Sequence, residues 1–342
     1  MKYFIKTYGC QMNVADSERI TGWYESKGWK KSKSINNADE IVIVTCSVRQ
    51  TAEDRVYGLI NNLTKLKKQK PRLKIILTGC MLRYPLRFLK EKLPQVDDFK
   101  KISEFTQSQP IYESPNHAYV PIMEGCNQFC SYCVVPYARG REKSRPFEEI
   151  LCEVEQLVKR GFREITLLGQ NVNSYGQDLT LKNKKNFADL LKDLVKIKGL
   201  QKISFLTSNP WDLTNEIIKA MKSPKIDRYL HLPVQSGDEQ ILKKMKRHYT
   251  AKQYLDLLTK VRKEIPKIKI GTDIIVGFPG ETKEQFQKTV TLCQKANFVK
   301  AYVAMYSPRW GTAAFKLKDD VPYEEKKRRW KILDDLINQT GE

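Results

Sequence analysis

Three short apolar runs in the first eighty residues end in the same way. Phe4-Ile5-Lys6-Thr7-Tyr8-Gly9 runs into Cys10, Ile41-Val42-Ile43-Val44-Thr45 into Cys46, and Ile75-Ile76-Leu77-Thr78-Gly79 into Cys80. Each run has the length and composition of a strand, and a helical stretch follows each: strands over Tyr3 to Thr7, Glu40 to Thr45 and Leu73 to Thr78, helices over Ser17 to Lys27, Thr51 to Lys68 and Leu86 to Leu93. Strand and helix in repeating alternation imply a parallel sheet with helices on its faces. All strands of such a sheet end along one edge, where open α/β folds collect their ligands, so three thiols far apart in sequence can converge.

The alternation continues through the rest of the chain. Strands are expected near 118–122, 164–168, 202–206, 229–233, 269–276 and 299–306. Helices are expected near 147–160, 187–197, 213–221, 238–246, 251–264 and 283–296, with a last one from Tyr323 to Asn338. Pro322 suits the first turn of that last helix, and Glu324 and Glu325 favour its positive end. Six strand–helix units suit an open, partial (β/α)6 barrel and are too few for a closed barrel of eight. Residues 107 to 117 are polar, carry two prolines and show no period, which marks a linker. The expected division is an N-terminal α/β domain with linker over 1–117 and a barrel core over 118–342.

Composition limits what these domains can do. Of 342 residues, 61 are Lys or Arg and 39 are Asp or Glu, a formal net charge of +22. A 41% hydrophobic share excludes a disordered chain. No run of about 18 apolar residues occurs, which rules out a membrane helix. Met1-Lys2-Tyr3-Phe4-Ile5-Lys6 lacks the apolar stretch of a signal peptide, so a cytoplasmic, reducing compartment is expected. There, eight cysteines serve as thiolate ligands or buried thiols rather than as four disulfides. The basic excess is spread over both parts and calls for a polyanionic partner, nucleic acid before membrane.

Glu124-Gly125-Cys126-Asn127-Gln128-Phe129-Cys130-Ser131-Tyr132-Cys133 is the strongest chemical signal. Three cysteines in eight residues can wrap three irons of a cubane, and the spacing differs from ferredoxin runs and from zinc pairs. Cys10, Cys46 and Cys80 leave zinc and an iron–sulfur cluster open, although zinc would want a fourth ligand and no His lies near them in sequence. Cys152 and Cys293 fall among apolar residues at helical spacing and are expected in the core.

A C-x3-C-x2-C loop directly after the first strand of a six-unit βα domain resembles the radical S-adenosylmethionine superfamily. Thr7-Tyr8-Gly9-Cys10-Gln11-Met12-Asn13, Leu168-Gly169-Gln170-Asn171-Val172-Asn173, His231-Leu232-Pro233-Val234-Gln235-Ser236-Gly237 and Thr272-Asp273-Ile274-Ile275-Val276-Gly277-Phe278-Pro279-Gly280-Glu281-Thr282 narrow the resemblance to the methylthiotransferases. Cys133-Val134-Val135-Pro136-Tyr137-Ala138-Arg139-Gly140-Arg141-Glu142 and Tyr306-Ser307-Pro308-Arg309-Trp310-Gly311-Thr312 extend it, and it spans Met1 to about Gln339.

The resemblance implies two [4Fe-4S] clusters and S-adenosyl-L-methionine as cofactors. It assigns Cys126, Cys130 and Cys133 to the catalytic radical cluster, and Cys10, Cys46 and Cys80 to an auxiliary cluster that delivers sulfur. Tyr132 is expected near the adenine of the cofactor. Gln170, Asn171, Gln235, Ser236 and Asp273, at or within barrel strands, are expected as cofactor contacts. The implied reaction inserts a methylthio group at carbon 2 of N6-isopentenyladenosine beside the anticodon of tRNA. The same chemistry on threonylcarbamoyladenosine or on a ribosomal-protein aspartate is the nearest rival, and a non-catalytic iron–sulfur or zinc RNA-binding protein is the rival of another class. The tRNA anticodon loop is the expected partner, with an electron donor such as a flavodoxin or ferredoxin and with the chain a monomer. The family's small carboxy-terminal RNA-binding β-barrel has no counterpart before Glu342.

Two basic runs adjoin these motifs and are expected on phosphates: Arg139, Arg141, Lys143 and Arg145, then Lys243, Lys244, Lys246 and Arg247. Lys326, Lys327, Arg328 and Arg329 are expected as a solvated helix face, and Gly277-Phe278-Pro279-Gly280 as a turn.

Overall fold

The computed structural model describes residues 1–105, 108–179 and 184–339. Gln107, the first residue of the expected linker, lies outside them. The chain forms two compact units. One comprises Met1–Pro121 together with Val134–Gly140, and the other Ile122–Cys133 together with Arg141–Glu342. These units run differently from a cut at residue 117, because the chain returns to the first unit for seven residues just after the C-x3-C-x2-C loop.

In the first unit, strands β1 (Lys2–Thr7), β2 (Lys30–Lys31), β3 (Glu40–Thr45), β4 (Lys74–Gly79) and β5 (Asp98–Phe99) form a parallel sheet in the order β2-β1-β3-β4-β5. Helices α1 (Gln11–Ser26), α2 (Gln50–Gln69) and α3 (Leu86–Lys92) connect them, and β6 (His117–Pro121) packs against α1. Every residue of β3 is buried, as expected of a central strand covered on both faces. Ile41, Ile43, Ile75 and Leu77 meet Val56, Ile60 and Leu63 of α2 on one face. Val42, Val44 and Ile76 meet Ile20 and Tyr24 of α1 and Phe105 on the other. Each such aliphatic side chain contributes about 1.5–3 kcal/mol of burial.

Helix α1 begins directly after Cys10, six residues before the expected start at Ser17. Its first two turns carry Asn13, Asp16 and Ser17, all buried, and a polar face turned inward gives no apolar period to read. The short helix α4 (Val135–Arg139), with proline in its first turn, lies in the first unit beside the tight turn Cys80–Arg83.

The second unit opens with a small antiparallel pair, β7 (Met123–Glu124) with β8 (Lys143–Ser144), at the two ends of the excursion into the first unit. Then come α5 (Phe147–Lys159), β9 (Glu164–Leu168), α6 (Phe187–Leu194), β10 (Lys202–Phe205), α7 (Asn215–Ala220) and β11 (Tyr229–His231). They are followed by α8 (Glu239–Lys244), α9 (Ala251–Glu264), β12 (Lys269–Val276), α10 (Lys283–Ala296), β13 (Lys300–Met305) and α11 (Tyr323–Asn338). β9 and β10 pair in parallel, as do β11, β12 and β13, and an isolated Ile203–Ile226 bridge spans the step between the two groups. The wall is open, in keeping with the partial barrel expected.

Two readings of helix faces need correction. Cys152 is exposed: the buried face of α5 is Phe147, Ile150, Val154 and Leu157, and position 152 falls opposite it. Cys293 is buried, as expected. Lys326 and Arg329 of α11 point inward while Lys327 and Arg328 face solvent. The buried pair is neutralised by Asp319 at 2.5 Å from Lys326 and Glu281 at 2.6 Å from Arg329. Glu281 also accepts from the Gly277 amide, which fastens the Gly277–Gly280 turn.

Candidate active site

Strand register brings the three strand-end cysteines together. Thr7 pairs with Val44 and Thr45 with Gly79, so Cys46 and Cys80 follow immediately on paired residues and Cys10 lies one turn beyond. Two glycines permit the approach. A Cβ added at Gly9 (φ +114°) would fall 2.5 Å from Cys46 Cβ, and one at Gly79 (φ +89°) would fall 2.6 Å from the Thr45 carbonyl.

A polar framework fixes the loops that carry these thiols. The Asn13 amide, wholly buried, donates through Nδ2 to the carbonyls of Tyr8 (2.5 Å) and Thr45 (3.0 Å), one before each of the first two cysteine turns. Thr45 Oγ1 donates to the Thr78 carbonyl (2.6 Å) and accepts from the Met81 amide (3.0 Å), which brackets Cys80. On another side, Ser47, next to Cys46, donates to Glu53 and accepts from Arg83 Nε at 2.7 Å. Arg83 and Glu53 form a buried ion pair at 3.7 Å. Burial pushes the Cys80 thiol up to about 11, opposed by Arg139. The Cys46 thiol is raised for the same reason, opposed by the amides of Val48 and Arg49.

The C-x3-C-x2-C loop is held differently. Gln170 of the β9 end accepts the Gly125 amide through its side chain. Ser131 binds the far wall: its amide and hydroxyl donate to the carbonyls of Met245 (3.1 Å) and Lys244 (2.8 Å), and its carbonyl accepts from Ala314 (2.7 Å). Phe129 occupies left-handed backbone at φ +46°, as do Thr207 (+64°), Gln235 (+68°) and Lys246 (+57°). Such non-glycine conformations persist where surrounding bonds over-determine them, and they gather at functional sites. Burial lifts the Cys126 thiol to about 11, while the Gln128 amide opposes the shift. Tyr132 packs against Ile241, Met245, Phe278, Tyr306 and Ala314, and burial raises its phenol well above the ordinary value.

Arg247, expected on phosphate, is a core residue of this site. Its guanidinium donates to the Pro233 carbonyl (2.8 Å), Asn209 (3.3 Å) and Cys130 Sγ (3.6 Å), and lies 4.6 Å from the Trp211 ring centre. Arg139 is likewise withdrawn, its Nη2 on Asp16 (2.6 Å) and Asn13 (2.7 Å). Runs of basic residues carry no phase information by themselves, and a guanidinium is buried where carbonyls or a carboxylate await it. Lys143, Lys243, Lys244 and Lys246 are exposed, as is Arg141, whose guanidinium stacks on the Phe129 ring at 4.3 Å. Arg145 pairs with Glu153 at 2.7 Å.

The remaining expected contacts divide. Asn171 donates to Asp212 (2.6 Å) and accepts from the Asn209 amide (3.2 Å), tying the β9 and β10 ends together. Ser236 is buried against Thr289 (3.3 Å) and accepts from the Asp238 amide (3.2 Å), the role of a structural hydroxyl at the start of α8. Gln235 lies on the backbone bridge to Ile274. Asp273 Oδ2 lies 3.2 Å from His231 Nε2 on the strand face it shares with Tyr302. Sequence reasoning missed Asn13, Asp16, Glu53, Arg83, Trp211 and Asp212. Only Asn13 lay within a quoted motif, one turn after Cys10.

Comparison with known proteins bears on both units. The Radical SAM superfamily matches residues 120–293, and the uncharacterized protein family UPF0004 matches residues 2–99. The chain is 47% identical to the tRNA-2-methylthio-N(6)-dimethylallyladenosine synthase of Carboxydothermus hydrogenoformans, over 98% of this chain and 83% of that one. It is 42% identical to the protein of the same name from Thermotoga petrophila, over 98% of this chain and 81% of the relative. The radical S-adenosylmethionine methyltransferase TsrM from Kitasatospora setae shares the fold, with a TM-score of 0.64 at 12% identity over 92% of this chain and 76% of that one. With both halves matched in order and this identity over nearly its whole length, the chain belongs to the radical S-adenosylmethionine superfamily and, within it, to the tRNA-2-methylthio-N(6)-dimethylallyladenosine synthase family.

Proposed function

We propose that this protein inserts a methylthio group at carbon 2 of N6-isopentenyladenosine beside the anticodon of tRNA, by radical S-adenosylmethionine chemistry. The observation that carries the reading is the presence of two separate three-cysteine sites, one in each unit, in a chain 42–47% identical to synthases of that name. No His, Asp or Glu side chain removes a proton from an aromatic C–H near neutral pH, so acid–base catalysis does not reach this carbon.

The donor sets fit [4Fe-4S] clusters. Each site offers three thiols and groups that favour the thiolate: Arg247, which donates to Cys130 Sγ, and the Gln128 amide in the loop site, and the Arg139 charge with the Val48 and Arg49 amides in the strand-end site. Among the described residues, no group of three or more His, Cys, Asp or Glu is placed to hold a metal ion. A cubane, with one thiolate per iron, spreads its ligands wider. When bound, the clusters and S-adenosyl-L-methionine supply the hydrogen-abstracting radical and the sulfur. Cys126, Cys130 and Cys133 would hold the first cluster and Cys10, Cys46 and Cys80 the second, with Tyr132 beside the adenine of the cofactor. Gln170 and Ser131 keep the loop in place, and Arg247 orients Cys130. Arg141, Lys143, Lys243, Lys244 and Lys246 are available to phosphates, which supports RNA as the partner. An electron donor of the flavodoxin or ferredoxin class and a cytoplasmic setting complete the reading. No helix among the described residues is long and apolar enough to cross a membrane.

One anaerobic experiment tests it. Iron and sulfide are assayed, and the reduced protein is then incubated with S-adenosylmethionine and tRNA and the nucleosides are weighed by mass spectrometry. About eight irons per chain, four for each cluster, with 2-methylthio-isopentenyladenosine formed is the expected result. Methylthio label found only on threonylcarbamoyladenosine or on ribosomal protein would overturn the choice of substrate.

A further inference from the structure

Arg139 lies six residues after Cys133 in sequence, yet its side chain belongs to the strand-end cysteines of the first unit. Helix α4 sets it beside the Cys80–Arg83 turn, with the side chains of Arg139 and Asp16 5% and 2% exposed. A single nitrogen, Nη2, donates to Asp16 Oδ2 at 2.6 Å and to Asn13 Oδ1 at 2.7 Å. The positive charge of Arg139 also favours the Cys80 thiolate. Asn13 is the amide that holds the backbone before Cys10 and before Cys46. One cation thus acts on one cysteine through its charge and reaches the turns of the two others through a single amide.

We infer that Arg139 is a positioning residue for the auxiliary cluster, bracing through Asn13 the turns that carry Cys10 and Cys46 and placing one positive charge beside Cys80. The inference rests on the two-cluster reading above. Hydrogen bonds to the sulfurs and net charge set the reduction potential of an iron–sulfur cluster, so a residue of this kind tunes the centre as well as shaping it.

The test uses the full chain with Cys126, Cys130 and Cys133 all replaced by Ala, reconstituted anaerobically with iron and sulfide. Only the auxiliary centre remains, and its iron content, electron paramagnetic resonance spectrum and midpoint potential are measured. Arg139→Gln in that background removes the charge and is expected to shift the midpoint to more negative values with a changed spectrum. Arg139→Lys keeps the charge but loses the planar fork, and is expected to give a smaller shift in the same direction. Midpoint and spectrum unchanged in both variants would overturn the proposal. Should Arg139→Gln fail to fold, Arg139→Lys decides by the same criterion. A triple-alanine parent that takes up no iron would instead overturn the two-cluster reading, and the proposal with it.

Discussion

The strand-end site draws one thiol from each of three strand–helix units, whereas the loop site draws three from eight consecutive residues. Convergence in the first depends on register: until β1, β3 and β4 pair, Cys10, Cys46 and Cys80 are not neighbours. Glycines at 9 and 79 relieve its tight places, and buried side chains from α1, α2 and α4 brace it. The loop site is local by construction and needs the opposite help. It is pulled into shape by bonds from distant strand ends and tolerates left-handed backbone at Phe129 and, around it, at Thr207, Gln235 and Lys246. Each such residue stores about 1–3 kcal/mol that the surrounding wall must hold. In the sheet-built site glycines take the tight places, whereas the loop-built site puts a non-glycine residue, Phe129, in left-handed backbone.

The largest effect separating the two sites is on chemistry. Cys126→Ala is expected to abolish reductive cleavage of S-adenosylmethionine, while Cys46→Ala should still release deoxyadenosine and form no methylthio product. The reverse pattern, read by product mass analysis, exchanges the two assignments. Next comes Gly9→Ala, which meets Cys46 Cβ at 2.5 Å with φ at +114°. Left-handed backbone and overpacking together cost about 2–4 kcal/mol. Denaturant titration should show that loss, and iron analysis should show the auxiliary iron missing with the radical cluster retained. Loss of iron from both sites would break the independence drawn here.

Arg247→Lys sharpens the comparison from the loop side. The ammonium cannot span the Pro233 carbonyl, Asn209 and Cys130 while stacked on Trp211, a loss of roughly 1–3 kcal/mol. The spectrum of the radical cluster should change and that of the auxiliary cluster should not. The smallest effect concerns Glu18 on α1, whose carboxyl burial pushes up to about 7 from an ordinary 4.5. The folded chain therefore keeps a proton that the unfolded chain releases. This stability is present below about pH 4.5 and is lost as pH rises through about 7. Glu18→Gln should flatten that slope in thermal melts between pH 5 and pH 8; an unchanged slope counts against a protonated Glu18.

The strand-end placement of Cys10, Cys46 and Cys80 and the tight spacing of Cys126, Cys130 and Cys133 were legible because both are local signals. The parallel sheet of the first unit and the open barrel were legible for the same reason, since apolar runs of fixed length alternate with helices; the order of the five strands in that sheet was not. The side chains that support the cysteines were not. Arg139 and Arg247 look like members of basic runs, and only tertiary structure shows that one meets Asp16 and Asn13 and the other meets carbonyls and a tryptophan. Asn13 and Asp16 hid at the start of α1 because an inward polar face imitates a loop. Cys152 was misjudged by helix phase: apolar neighbours on both sides do not place a residue on their face.

The seven-residue return of Val134–Gly140 to the first unit bears on how this chain could be dissected. A fragment ending at Pro121 would keep every strand of the five-stranded sheet and all three of its cysteines, yet it would lack the guanidinium that neutralises Asp16. An orphaned carboxylate at a site this buried is a penalty of about 3–5 kcal/mol, enough to unsettle an isolated α/β module. Any expression boundary, circular permutation or domain graft that treats residues 1–121 as self-sufficient would therefore cut through the module. Its true C-terminal border is Gly140, beyond the loop that carries the other three cysteines.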